Sequence, residues 1–122
     1  MLSRAYRTIF VHIPKTGGQS IETIFLKAHG LTWEARAQLL LRPNSDPAKG
    51  PRRLAHLYAS EYVSCGHVTA EDFESFFSFA VVRNPWARAV SSYKYALQPK
   101  GMPFGVFIRE VLGEGRHLVE LR

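Results

Sequence analysis

The chain is poor in cysteine. Of its 122 residues only Cys65 is one, so no intramolecular disulfide can form and no oxidising compartment is implied. Cys65 itself reads as a small buried residue. No apolar run approaches the ~20 residues that a membrane span needs. The opening stretch MLSRAYRTIFVHIPK also lacks an apolar segment of signal-peptide length. The expectation is a cytoplasmic protein with no membrane partner. No internal repeat or low-complexity segment is evident. No Cys/His/carboxylate cluster has metal-ligand spacing, so no metal is expected. No recognised basic-aromatic module is present, so nucleic acid is not an expected partner either.

What the chain does contain is a globular composition, with 46% apolar and 12% aromatic residues. Its length suits one domain, 1–122, able to bury about two-thirds of its unfolded surface. The net charge of +6 is unevenly spread: residues 1–61 carry nine Lys/Arg against four Asp/Glu, residues 62–122 seven against six. A basic first half fits an anionic ligand, although a solvated basic surface has the same composition.

Hydrophobic pattern organises the chain as follows. Thr8–Ile13 reads as a strand buried on both faces. From Gly18 the period changes to helical, with Ile21, Ile24, Phe25 and Ala28 on one face and Gly30 as the stop. Trp33–Leu41 is a candidate second helix. Residues 42–53, RPNSDPAKGPRR, read as an irregular loop. Tyr62–Cys65 is a candidate short strand, and Thr69 caps a short helix with Asp72 three residues on. Ser78–Val82 is a second buried-strand candidate. Asn84 followed by Pro85 starts a helix expected to run to about Leu97. A last helix is expected over Phe104–Leu112, ending near Gly113. Strands and helices joined by long crossovers point to an α/β fold with a parallel sheet flanked by helices. Two or three strands are few for such a sheet, so the expectation is a fold incomplete at its C-terminal end.

Two stretches carry chemistry. In FVHIPKTGGQS, a strand feeds a helix through two glycines, where backbone N–H groups and the helix dipole favour an anion. Lys15 adds charge, and Thr16 and Ser20 add hydroxyls. A plain turn with glycines serving geometry alone is the competing interpretation. The pattern differs from the nucleotide loop G-x-x-x-x-G-K-[ST]. With Ser20 aligned to the last position, Gln19 stands where the lysine belongs, and the lysine lies upstream as Lys15. An ordinary Mg·ATP site is therefore not expected.

The second stretch is VVRNPWARAVSSY. Stepping 100° per residue, Val90, Tyr93 and Leu97 fall within about 40° of Trp86 and Ala89 about 60° away, forming the expected packed face. Asn84, Arg88, Ser91 and Tyr95 lie opposite. Arg83 at the strand end and Ser91 on the polar face can together grip a phosphate. An ordinary strand-end salt bridge is the alternative for Arg83.

Together, HIPKTGGQS and VVRNPWARAVSSY resemble the PAPS-dependent carbohydrate sulfotransferases (sulfotransferase family 2), and specifically the heparan 2-O-sulfotransferase-like branch. The resemblance spans about Ile9 to Tyr95 and implies a P-loop-NTPase-like α/β fold. By the same resemblance, Pro14, Lys15, Thr16, Gly17, Gly18, Gln19 and Ser20 form the 5′-phosphosulfate loop. Arg83 and Ser91, eight residues apart, form the 3′-phosphate site. CGHVTAEDF resembles the segment bearing the catalytic base, which would be His67. Gln19 departs from the family's usual threonine, although its amide can donate in place of the hydroxyl. The chain also stops before the helices and enclosing loop that family members usually add.

The implied reaction moves a sulfuryl group from PAPS to a hydroxyl of a carbohydrate-type acceptor and releases PAP. Lys15 and the loop amides would stabilise charge on the leaving group, and His67 would take the acceptor's proton. His67 could instead merely bond backbone. His12 reads as structural. Glu22, in the first helical turn, reads as a cap or a solvent-facing residue, with a base role as its alternative. Arg42, Lys49, Arg52 and Arg53 could contact an anionic acceptor or simply solubilise a loop. Trp33 and Trp86 could stack on a sugar or adenine, with core packing the simpler place for Trp86. A non-catalytic, truncated PAP-binding remnant is the second functional interpretation, and a P-loop kinase the third.

Overall fold

The computed structural model of the chain describes residues 1–112. They fall into two compact units, one spanning Met1–Val81 and one beginning at Val82.

The first unit is built on Thr8–Val11 (β2), the central strand of three. It pairs antiparallel with Leu2–Ser3 (β1) and parallel with Phe77–Ala80 (β3), with Ile9 opposite both Leu2 and Ser78. The sheet is thus mixed, not wholly parallel as expected. The reason is local: Arg7 takes a left-handed conformation (φ 47°) and its N–H bonds the Arg4 carbonyl, so the chain reverses within four residues. A connection that short can only join antiparallel strands.

Ile9 and Phe10 are both fully buried and point to opposite faces. Ile9 packs with Leu2, Leu54, Leu57, Tyr62 and Val68. Phe10 packs with Met1, Leu26, Leu39 and Leu41. Covering on both sides is why the strand carries a near-continuous apolar run. β3 was expected to be buried too, but it lies at the edge of the sheet and Phe77 is 68% exposed. Only Phe79 is drawn inward, its ring 5.0 Å from that of Phe10.

Gly18–Ala28 (α1) ends as the sequence indicates. Gly30 is left-handed (φ 65°), its N–H bonds the Lys27 carbonyl and the Leu31 N–H bonds that of Leu26. The buried face, however, is Gly18, Glu22 and Leu26. Ile21 and Phe25 flank it, while Ile24 and Ala28 face out. A polar contact of Glu22, described below, turns the helix this way.

Trp33–Leu41 holds a single tight turn, Arg36–Leu39, which Leu40 ends by turning left-handed (φ 63°). The 42–53 loop is more ordered than expected. Asp46 caps a one-turn helix at Pro47–Lys49, Pro43 bridges Arg53, and the Asn44 amide donates to the carbonyls of Asp46, Gly50 and Pro51. The strand expected at Tyr62–Cys65 is helical, Ala59–Ser64 (α2). Glu61 reaches back to the Tyr58 N–H at 2.7 Å, and burial falls on Tyr62 alone instead of alternating. Cys65 follows that helix and is half-exposed, not buried. Ala70–Ser75 (α3) begins at Thr69, whose hydroxyl accepts from the Asp72 N–H at 3.0 Å.

In the second unit, Asn84 caps Pro85–Ala96 (α4) by accepting from the Trp86 and Ala87 N–H groups. Its packed face is shifted from the one expected: Tyr93, Leu97 and Ala89 pack as read, but Trp86 and Val90 do not. Ala89 and Ser92 are buried, whereas Trp86 is 73% exposed and Val90 is exposed too. Ala89 packs with Phe107, joined by Tyr93, Leu97, Met102 and Ile108. A small side chain there admits the Phe107 ring, which a tryptophan would block. Phe104–Val106 (α5) continues into wider helical turns over Phe107–Leu112, and the expected stop at Gly113 lies outside the described residues. Among the described residues no helix is long and apolar enough to cross a membrane.

Candidate functional site

The turn from β2 to α1 holds Pro14–Ser20 together. Lys15 (φ 66°) and Gly17 (φ 89°) are left-handed, on either side of Thr16. Such alternation turns backbone N–H groups towards one concavity, the kind of nest that receives anions. Thr16 is buried and its hydroxyl donates to the Ile13 carbonyl at 2.8 Å. The Thr16 side chain therefore closes the turn. Gln19 and Ser20 are exposed, and the Ser20 N–H bonds the Gly17 carbonyl at 3.1 Å. Gly17 is the residue before α1 and, as a glycine, offers no side-chain cap.

Beneath this turn lies a polar contact that sequence reasoning missed. His12 Nδ1 donates to Glu22 Oε1 at 2.6 Å, with both side chains buried. The expected cap or solvent-facing role for Glu22 is thereby replaced. The His12 ring stacks on Phe10, and Gly18 lies against it so closely that a Cβ there would come within 2.2 Å of Nε2. His56 Nδ1 donates to the His12 carbonyl at 3.2 Å. Burial pushes His56 below its ordinary value, partly offset by that bond. The available signal was the spacing Gly18, Glu22, Leu26: an acid at i+4 between a glycine and a leucine belongs to the packed stripe.

His67 lies on the turn between α2 and α3, half-buried. Its Nε2 donates to the Lys49 carbonyl at 2.8 Å, and its own carbonyl accepts from Arg4 at 2.9 Å. With Nε2 carrying the hydrogen, Nδ1 holds the lone pair. Arg4 also pairs with Asp72 at 3.3 Å, an exposed contact that adds little stability. The Lys49 ammonium reaches the Cys65 carbonyl at 3.5 Å. Lys49 of the basic loop is thus tied to the His67 turn by two backbone acceptors.

In the second unit, Arg83 is exposed just before the Asn84 cap, and Ser91 is half-buried on α4. Trp86 and Trp33 are both exposed, and the Arg36 guanidinium already lies over the Trp33 ring, 4.6 Å from its centre. Among the described residues no group of three His, Cys, Asp or Glu side chains is arranged to hold a metal ion.

A family model described as the sulfotransferase family matches residues 1–113, taking in both motif stretches and His67. The chain belongs to the sulfotransferase family. No curated protein and no solved structure matches it. Membership makes sulfuryl transfer to a hydroxyl-bearing acceptor the general chemistry of this sulfotransferase-family chain.

Proposed function

We infer that this chain transfers a sulfuryl group from PAPS to a hydroxyl of a carbohydrate-type acceptor. The observation that carries the inference is the Pro14–Ser20 turn, with left-handed Lys15 and Gly17 opening α1, in a chain of the sulfotransferase family. In this reading β2, the turn, α1 and the parallel β3 are part of a P-loop-like sheet. The turn holds the 5′-phosphosulfate, and Arg83 and Ser91 hold the 3′-phosphate, on the strength of their resemblance to the family motifs.

The chain's own groups would act as follows. His67 accepts the acceptor's proton at Nδ1, while its Nε2–H stays on the Lys49 carbonyl. The freed oxygen bonds to sulfur as the bond from sulfur to the bridging oxygen breaks. Lys15 and the first amides of α1 stabilise the negative charge collecting on that oxygen, and PAP departs. Gln19 offers its amide where a hydroxyl is usual. The Arg42–Arg53 loop, which Lys49 ties to the His67 turn, would contact an anionic acceptor in this reading.

Titration with PAP in metal-free buffer tests the donor site, and sulfate transfer to a panel of glycans tests the reaction. Saturable PAP binding with transfer is expected. A folded chain that binds PAP but transfers to no glycan is a non-catalytic remnant. Preference for Mg·ATP over PAP would make it a kinase-type protein.

A further inference from the structure

The backbone of His67 is fixed by its own neighbourhood. Its N–H bonds the Tyr62 carbonyl at 3.0 Å, its carbonyl accepts from Arg4 at 2.9 Å, and Gly66 before it is left-handed (φ 72°). None of these contacts reaches the imidazole. A half-buried ring on a fixed Cα still turns between staggered wells unless its far edge is held. The holding atom is the Lys49 carbonyl oxygen, 2.8 Å from Nε2. A carbonyl can only accept, so the hydrogen is on Nε2, and the aim of Nδ1 follows the position of that oxygen.

The position of the Lys49 carbonyl is set in turn by Asn44. Asn44 Nδ2 donates towards the carbonyls of Asp46, Gly50 and Pro51 at 2.8, 3.0 and 3.2 Å. Its Oδ1 accepts from the Asp46 N–H at 3.2 Å, and its own N–H bonds the Arg52 carbonyl at 2.8 Å. Both ends of the segment 46–51 are thus gathered on one side chain. Between them the Lys49 N–H bonds the Asp46 carbonyl, the Ala48 N–H bonds Asp46 Oδ1, and Gly50 leaves the turn in a left-handed conformation (φ 113°). Lys49 therefore ends a turn that is tied at its base, and its carbonyl is held in place before the His67 ring meets it.

We propose that Asn44 is a positioning residue for the transfer: it builds the turn whose Lys49 carbonyl grips Nε2–H of His67 and so aims Nδ1. In its catalytic part this rests on the reading of His67 as the base. Asn44 touches neither donor nor acceptor in this role. Its amide supplies donors to carbonyls that would otherwise face one another unpaired. The basic loop then has a duty that its charge does not reveal, because the group that acts on His67 is a backbone oxygen and not the Lys49 ammonium.

The test is carbon-13 relaxation at Cε1 and Cδ2 of the histidine rings in the full chain, with turnover and PAP affinity measured on the same samples. His12 and His29, whose rings bond Glu22 and Ser3, are internal controls. The wild-type His67 ring should be rigid, with an order parameter near about 0.85. Asn44→Asp sets a carboxylate against three carbonyls, so the turn should open and the His67 value fall below about 0.6, with His12 and His29 unchanged. Asp46→Ala removes an exposed cap of the same turn and serves if Asn44→Asp does not fold. Lys49→Met keeps the carbonyl and should keep the ring rigid. Turnover should fall about ten- to a hundredfold in Asn44→Asp with PAP affinity unchanged. A His67 ring that stays rigid in the turn variant, or loosens in Lys49→Met, overturns the proposal, as does a loss of order shared by His12 and His29. A loosened ring with wild-type turnover overturns the base reading of His67 and the catalytic part of the proposal with it. A wild-type chain that transfers no sulfate overturns the proposed function, and ring order alone then decides whether Asn44 braces His67.

Discussion

His67 donates through Nε2 to the carbonyl oxygen of Lys49, 2.8 Å away across eighteen residues of chain. The bond holds the basic loop, and in the proposed mechanism it also leaves Nδ1 to act as the base. His67→Ala removes both and should cost about 1 kcal/mol of stability along with sulfate transfer. His67→Gln can keep a donor for Lys49 but no base, so it should retain most of the stability and still lose transfer. PAP affinity should stay near wild type in both. Unchanged turnover in either variant removes His67 from the chemistry.

Gly17 and Gly18 are adjacent but resist substitution for different reasons. At Gly18 a methyl group meets the His12 ring, and Gly18→Ala should cost about 1–3 kcal/mol as overpacking, with weakened PAP binding. At Gly17 nothing lies within 4 Å, but φ is 89°, and Gly17→Ala should cost about 1–2 kcal/mol as backbone strain. Urea midpoints and PAP titrations report both. A Gly18→Ala protein as stable as wild type would mean that His12 does not lie beneath the turn.

Asn84 accepts from two N–H groups at the start of α4, at 3.0 and 3.3 Å. Asn84→Ala should destabilise the helix by about 1 kcal/mol, and Asn84→Asp should recover most of it. Faster amide exchange in the first turn of α4 is the direct readout.

Ser92 presents the opposite situation, a buried hydroxyl with no hydrogen-bond partner among the described residues. Ser92→Ala removes an unsatisfied group and should be neutral or stabilising by up to about 1 kcal/mol. A clear loss of stability by thermal melt would show that the hydroxyl has a partner in solution.

His56 makes stability depend on pH. Its folded value lies below the ordinary 6.5 because burial disfavours the charged ring. The unfolded chain therefore binds more protons between the two values, and stability rises with pH across that window. The contribution is fully present above the unfolded value and is lost as pH falls through the folded one. Wild type should melt at a lower temperature near pH 5 than near pH 7, and His56→Gln should reduce that difference. An identical pH dependence in the two proteins would exclude His56 as its source.

Local signals survived folding where they were self-contained. Asn84-Pro85, Thr69 with Asp72, and Gly30 mark helix ends through bonds made within a few residues, so the sequence displays them directly. The central strand was legible because Ile9 and Phe10 are buried on opposite faces. Faces were harder to read. Apolarity alone centred the packed side of α4 on Trp86, whereas the fit of Phe107 against Ala89 decides it. Tyr62-Val63-Ser64-Cys65 suits a strand by composition, yet Glu61 reaching back to the Tyr58 N–H starts a helix there. The His12–Glu22 pair joins a strand end to a helix, and only the turn between them brings the two together. The Pro14–Ser20 residues were recognisable as a group, while the left-handed backbone at Lys15 leaves no mark in the sequence.

That turn has consequences for kinetics. Thr16 ties it to Ile13, Ser20 to Gly17, and Gly18 rests on the His12 ring. The conformational entropy of these residues is therefore surrendered when the chain folds, before any donor arrives. If this turn is the donor's seat, a ligand reaching it has none of these residues to order, so its association rate should follow diffusion and the attraction of the basic half of the chain. That rate should fall as salt rises while staying proportional to donor concentration, with no plateau from a preceding rearrangement.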